Sequence, residues 1–216
     1  MRLRPRRCPR ESVMFHRRKR CRRCKDALDV RLRRLFGAVT RGWSSGWRCR
    51  PEDMHGLPRV GAALASIHAR LVAHRGFAGF ARSSRLPACD WLVGGSTPFV
   101  VELDESQHFT LPRELALAAY PTSVALGFDA TRWRAECARV HARDNTPVDR
   151  DETRAWYDSL RDLLPCEHGF GPTVRLLDGD YVWCADAVSD EQLDAILAGA
   201  PGRNPAPIRR SRGPGA

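Results

Sequence analysis

Helix-period segments alternate with short, continuous apolar runs along this chain, and that alternation predicts an α/β fold. Two further observations support it. The 216 residues are 43% hydrophobic and 28% charged, a globular composition with enough apolar material for one core. The run Phe99, Val100, Val101, Glu102 and Leu103 reads as a central strand.

The elements follow in order. Residues 25–37 place Leu28, Leu32, Leu35 and Phe36 on one helical face, with Gly37 or Gly42 as the stop. The stretch 40–57 is rich in Gly, Ser, Pro and Trp and reads as a loop. Pro58 opens a second helix to about His74, with Val60, Leu64, Ile67 and Leu71 inward and Arg75-Gly76 at its end. Residues 77–82 and 89–93 read as strands, 94–97 as a turn, and 99–103 as the central strand. Thr110, Pro112 and Glu114 mark a helix start by capping, fixed φ and dipole respectively, and Pro121 ends that helix. Residues 123–128 read as a further strand. Two amphipathic helices follow over about 131–142 and 150–164. Residues 173–177 and 181–184 flank Asp178-Gly179-Asp180, a hairpin signature. Ser189 caps a last helix to about Leu197. The expected organisation is a basic, disordered arm (1–24), one α/β domain (25–200, core about 58–128) and a flexible tail (201–216).

The net charge of +11 is concentrated at the ends. Residues 1–24 carry eleven Arg or Lys against Glu11 alone, and 203–216 carry four arginines, so the body between is slightly acidic. Basic arms suit a polyanion, and nucleic acid is the expected partner. A solvated tail from an arginine-rich composition is the alternative. No apolar run is long enough to span a membrane, and no apolar segment of a secretory signal follows the basic N-terminus, so a cytoplasmic protein without membrane association is expected.

Eight cysteines in a chain of this size do not read as a disulfide framework. Cys89, Cys137 and Cys184 sit in apolar patterns as core residues. Cys21 and Cys24 form a C-x-x-C with Cys8 upstream and Cys49 downstream. Four thiolates would close a tetrahedral zinc site, whereas a lone C-x-x-C without a second pair is a weak signature.

One constellation carries chemistry. Asp90 lies in one predicted strand, and Glu102, Asp104, Gln107 and His108 lie on and after the next. A carboxylate inside a buried strand is costly unless it is paired or meets a cation. Antiparallel neighbours joined by a turn can bring Asp90 to Glu102. Two carboxylates and a backbone carbonyl make a hard oxygen site that suits Mg²⁺ or Mn²⁺. Where the strand opens into a loop, His108 can relay a proton or hold a ligand. Against this, Glu102 on an edge strand would face solvent, and Asp104 and Glu105 would then be plain turn residues.

The ordered set Asp90, then Val100-Val101-Glu102-Leu103-Asp104-Glu105-Ser106-Gln107-His108, resembles the PD-(D/E)XK nuclease superfamily, in the branch related to very-short-patch mismatch endonucleases. The resemblance covers about 70 residues and implies a restriction-endonuclease-like core in the order α-β-β-β-α-β, here elaborated by C-terminal helices and a β-hairpin. It implies Asp90 and Glu102 as metal ligands with the Leu103 carbonyl as a third, and His108 near the scissile phosphate. The superfamily's lysine position is Asp104 here, as the related branch also lacks it, and the branch's usual glycine is Glu105. No lysine follows Lys25, which leaves Arg143, Arg150 and Arg154 as candidate replacements for its charge.

Three functions compete: a Mg²⁺-dependent DNA endonuclease, a non-cleaving nucleic-acid-binding module of the same fold, and a zinc-stabilised interaction protein. Convergence of Asp90 and Glu102 on one point separates the first two, and bound zinc marks the third.

Overall fold

A computed structural model of the protein describes residues 22–180, 183 and 190–197. Helix α1 (Arg22–Phe36) begins inside the stretch expected to be an arm. Cys24, Leu28 and Leu32, spaced four apart, form its buried face. Strand β1 (Val39–Arg41) follows in what the composition marked as loop. Helix α2 (Gly61–Arg75) buries Leu64, Ile67 and Leu71, and Gly76 caps it in the left-handed conformation (φ 78°), its N–H bonding Val72 O as the sequence anticipates.

Strands β2 (Trp91–Val93), β3 (Phe99–Asp104) and β4 (Val174–Leu177) complete a four-stranded mixed sheet in the order β1-β2-β3-β4. β1, β2 and β3 form an antiparallel meander, with Arg41 opposite Trp91 and Trp91 opposite Val101. β4 runs parallel to β3, with Glu102 opposite Arg175. Between β3 and β4 lie helices α3 (Leu111–Leu117), α4 (Ala130–Val140) and α5 (Arg150–Leu163). The Thr110 hydroxyl accepts from Arg113 N at 3.2 Å, so α3 starts with the cap that the sequence predicts. Helix α6 (Asp190–Leu197) ends the described chain.

Three strand assignments differ from expectation. Residues 77–82 form no strand. Residues 123–128 contribute only one bridge, Gly127 beside Val174. The strand parallel to β3 is instead 174–177, the first arm of the expected hairpin. Backbone pairing with an already buried strand outweighs the local turn signal, and Asp178–Asp180 forms a short 3₁₀ turn. The expected second arm, 181–184, lies outside the described residues except Trp183. So do the arm up to residue 21, the Ser189 cap and the tail. The core therefore extends from 39 to 177, well beyond 58–128. The helices and strands run α1, β1, α2, β2, β3, α3, α4, α5, β4 and α6, so the expected order of helix, three strands, helix, strand is interrupted by α2 between β1 and β2 and by α4 and α5 before β4.

The two faces of the sheet differ in chemistry. Trp91, Phe99, Val101, Leu103, Val174 and Leu176 point to one side and pack with α1, Trp183 and α6 in an apolar layer. Period-two alternation puts Glu102, Asp104 and Arg175 on the other side. There α2, α3 and α5 build an apolar core of their own around Leu64, Ile67, Trp156 and Leu160. Sheet and helices thus meet across a seam of buried charge.

At the one bridge to β4, a Cβ on Gly127 would lie 2.6 Å from the Thr173 carbonyl oxygen. Gly127→Ala is expected to push the 123–128 segment off β4 and cost about 1–3 kcal/mol, read as a lower urea midpoint with an unchanged slope.

Candidate functional site

The β2–β3 register carries back one step from Trp91 and Val101 to bring Asp90, just before β2, opposite Glu102. The two carboxylates interlock. Asp90 N donates to Glu102 Oε1 at 3.3 Å, and Leu103 N donates to Asp90 Oδ2 at 3.0 Å. Asp90, Glu102 and the Leu103 backbone, the three predicted metal-binding positions, are therefore neighbours.

Two cations missed by the sequence reading stand against this pair. Lys25, in the first turn of α1, forms an ion pair with Asp90 Oδ1. Arg161, near the end of α5, places its Nε 3.2 Å from Glu102 Oε1. The same guanidinium donates to the carbonyls of Pro87 and Ala88 at 3.2 and 3.3 Å, clamping the segment that leads to Asp90. Glu102 is only 5% exposed. Burial pushes its pKa up to about 7; Arg161 opposes the shift and the nearby Asp90 charge adds to it.

Asp104, the residue at the superfamily's lysine position, faces elsewhere. Its Oδ2 accepts from Trp133 Nε1 at 2.6 Å and its Oδ1 from Arg175 Nη1 at 2.7 Å. Arg175, fully buried on β4, also donates through Nε to Asp162 Oδ1 at 2.7 Å and through Nη2 to the Asp158 carbonyl at 3.1 Å. Asp162 accepts further bonds from Arg113 (2.6 Å) and the Tyr120 hydroxyl (2.7 Å). Asp104 is thus a structural member of the charge seam.

His108, in a short 3₁₀ turn after β3, holds its Nδ1 3.0 Å from Asp158 Oδ2. Burial alone would lower its pKa, but the Asp158 carboxylate, reinforced by Asp104, raises it above the ordinary imidazole value. Arg161 Nη1 lies 3.4 Å from Asp158 Oδ1, so one guanidinium joins the His108–Asp158 pair to the Asp90–Glu102 pair. Gln107 bonds Glu105 Oε2 through its amide at 3.3 Å, and its carbonyl accepts from Arg154 at 2.9 Å.

The arginines proposed to replace the lysine are committed elsewhere. Arg150 and Arg154 pair with Asp144, and Arg154 also with Asp151. Arg143 meets the ring of His141. The cations beside Asp90 and Glu102 are instead Lys25 and Arg161. Of the cysteines considered for zinc, Cys8 and Cys21 lie outside the described residues, while Cys24 and Cys49 belong to different core clusters. Cys49 donates to the Ser83 carbonyl at 3.0 Å. Among the described residues no three His, Cys, Asp or Glu side chains form a group that could hold a metal, and no helix is long and apolar enough to cross a membrane.

The missed residues left partial signals. Lys25 is one of only two lysines in the chain. Asp151, Arg154, Asp158 and Arg161 recur at three- and four-residue steps along α5, an ionic stripe that a reading of its apolar positions alone passes over. Fold and geometry together define a mixed α/β protein with a carboxylate pair in which Glu102 is buried and Asp90 half-buried. No known family model matches the chain, and neither a curated protein nor a solved structure is significantly similar to it.

Truncating Arg175 to Ala leaves Asp104, Asp158 and Asp162 short of a buried cation. A loss of about 3–5 kcal/mol in chemical denaturation is expected. Glu102 gives the opposite sign. Because its folded pKa lies above the ordinary 4.5, the stability linked to its proton is full below about pH 4.5 and is lost as pH rises through about 7. Glu102→Gln, neutral throughout, should be more stable than wild type at pH 8 by about 1–3 kcal/mol and equal to it near pH 4.5. Thermal melts at the two pH values check this.

Proposed function

We propose that the chain is a metal-dependent endonuclease that hydrolyses phosphodiester bonds in DNA on a restriction-endonuclease-like core. The carrying observation is the contact between Asp90 and Glu102, twelve residues apart, at the end of the antiparallel β2–β3 pair. The element order around the sheet, with α1 before the three-strand meander and β4 parallel to β3, supports the fold assignment. The basic N-terminal sequence supports a polyanionic substrate.

The donor chemistry fits Mg²⁺ or Mn²⁺. Asp90, Glu102 and the Leu103 carbonyl offer hard oxygens, and a carboxylate whose pKa is raised by burial, with the Asp90 charge adding to it, favours an added cation. When bound, such an ion supplies a Lewis acid that lowers the pKa of water and neutralises charge on a phosphate. The chain supplies the rest. Lys25, held beside Asp90, can pair with a phosphate oxygen. Asp158 fixes His108 through Nδ1 and favours its charged form, which leaves Nε2 to protonate the leaving oxygen. Arg161 keeps Glu102 in register with this pair.

One observation favours a second reading. Lys25 and Arg161 match the two carboxylates charge for charge, as a binding module without turnover would require.

Purified protein with Mg²⁺ or Mn²⁺ should cut plasmid and linear DNA. Asp90→Ala and Glu102→Ala should each abolish cleavage, and Lys25→Ala and His108→Ala should reduce it by about 10²-fold or more. Cleavage that survives both carboxylate substitutions would refute the site. Salt-sensitive DNA binding with no cleavage would establish the module instead.

A further inference from the structure

A concavity of about 190 Å³ lies away from the carboxylate pair, between the end of α2, the start of α3 and the segment after α4. It is smaller than an ordinary small-molecule pocket and suits an ion-sized group. Leu111 and Pro112 line it from α3. Its polar lining is His74, Arg75, His141, Arg143, Asn145 and Asp151.

The charges there do not cancel. Arg75 is held by Glu152 through a two-point contact (2.6 and 2.5 Å), with its Nη1 turned to Asn145 Oδ1 at 2.8 Å. Asp151 is committed to Arg154 at 3.3 Å and to the Asp144 N–H at 3.0 Å. Arg143 contacts His141 Nε2 at 3.2 Å and meets no carboxylate among the described residues. The Arg143 guanidinium thus faces the cavity without an acidic partner, beside the rings of His74 and His141.

The backbone is bent to make this rim. His141 is the only non-glycine with positive φ (46°) among the described residues, a conformation that costs a histidine about 1 kcal/mol or more. The bend is fixed by His141 N bonding Cys137 O and Ala142 N bonding Phe109 O, both at 2.9 Å. It carries the chain from α4 back alongside Thr110, where His141 and Arg143 meet on the rim.

Helix α5 sets the distance to the proposed catalytic site. Asp151 lines the cavity and Arg161 holds Glu102, ten residues further on the same ionic stripe. At 1.5 Å per residue that is about 15 Å, or about four base steps of a duplex. His108, bound by Asp158, lies between them.

We propose that this cavity is a phosphate subsite, taking one phosphate group of a DNA strand whose scissile bond lies at Asp90 and Glu102. The proposal rests on the nuclease reading for its substrate. The shared ligand chemistry is a phosphate held by Arg143 and the two histidines, whether a terminal monoester or an internal diester.

The test is equilibrium binding of the full chain to fluorescein-labelled DNA in EDTA over a salt series, with 5′-phosphorylated and 5′-hydroxyl duplexes in parallel. The variants are Arg143→Ala and His141→Asn, because Asn tolerates the left-handed backbone, with Arg134→Ala on α4 as an exposed arginine outside the cavity. Melting temperatures equal to wild type establish folding. Arg143→Ala together with His141→Asn should weaken binding about 5-fold or more and lower the log–log salt slope by about 1, with a smaller effect from Arg134→Ala. Equal losses on both duplexes assign an internal diester, and loss on the 5′-phosphorylated duplex alone assigns a terminal monoester. Unchanged affinity and slope, losses matched by Arg134→Ala, or no DNA binding by wild type would overturn the proposal. EDTA separates the outcomes: a chain that binds as proposed but never cleaves with Mg²⁺ loses the catalytic reading alone. One that cleaves with an unchanged slope loses only the subsite.

Discussion

The guanidinium of Arg175 is the tie on which the arrangement of this protein depends. It projects from β4 into the layer between sheet and helices and reaches Asp104 on β3 and Asp158 and Asp162 on α5. None of these groups meets water. A buried charge of this kind adds little net stability compared with an apolar substitute, because desolvation offsets most of the attraction. Its geometric requirement is strict, however. Three carboxylates around one planar cation permit few registers of α5 against the sheet, whereas an apolar interface permits many.

The site inherits its geometry from that tie. With α5 fixed, Arg161 falls beside Glu102 and Asp158 beside His108. On the opposite face, the apolar layer under α1 fixes that helix through Leu28 and Leu32, and this delivers Lys25 to Asp90. The carboxylate pair is therefore held from both sides of the sheet, by one helix packed through apolar contacts and one through charge. Such overdetermination permits Glu102 to remain in an environment that disfavours its own ionisation.

Much of this was legible in the sequence. The inward faces of α1 and α2, the Gly76 and Thr110 caps and the buried strand around Glu102 all follow from local pattern, and the structure keeps them. Asp90 and Glu102 were linked correctly because a turn between antiparallel strands constrains their approach. What local pattern does not contain is pairing at a distance. Val39–Arg41 is too short to show alternation and is a strand only because β2 lies beside it. Residues 174–177 carry a hairpin signature, yet β3 recruits them across the intervening helices. Lys25 and Arg161 stand 65 and 59 positions from their partners, so no motif spacing relates them. The ionic stripe of α5 is visible in the sequence, but the apolar positions alone define that helix there, and the burial of Asp158 and Asp162 follows only from packing against the sheet.

The central claim is that Asp90 and Glu102 form a cation site rather than a closed set of internal ion pairs. Anomalous diffraction from crystals soaked in Mn²⁺ tests it most directly. The account predicts one strong peak between the two carboxylates, with Lys25 displaced from direct contact with Asp90. A map without a peak there, and with Lys25–Asp90 and Arg161–Glu102 intact in saturating Mn²⁺, would contradict it.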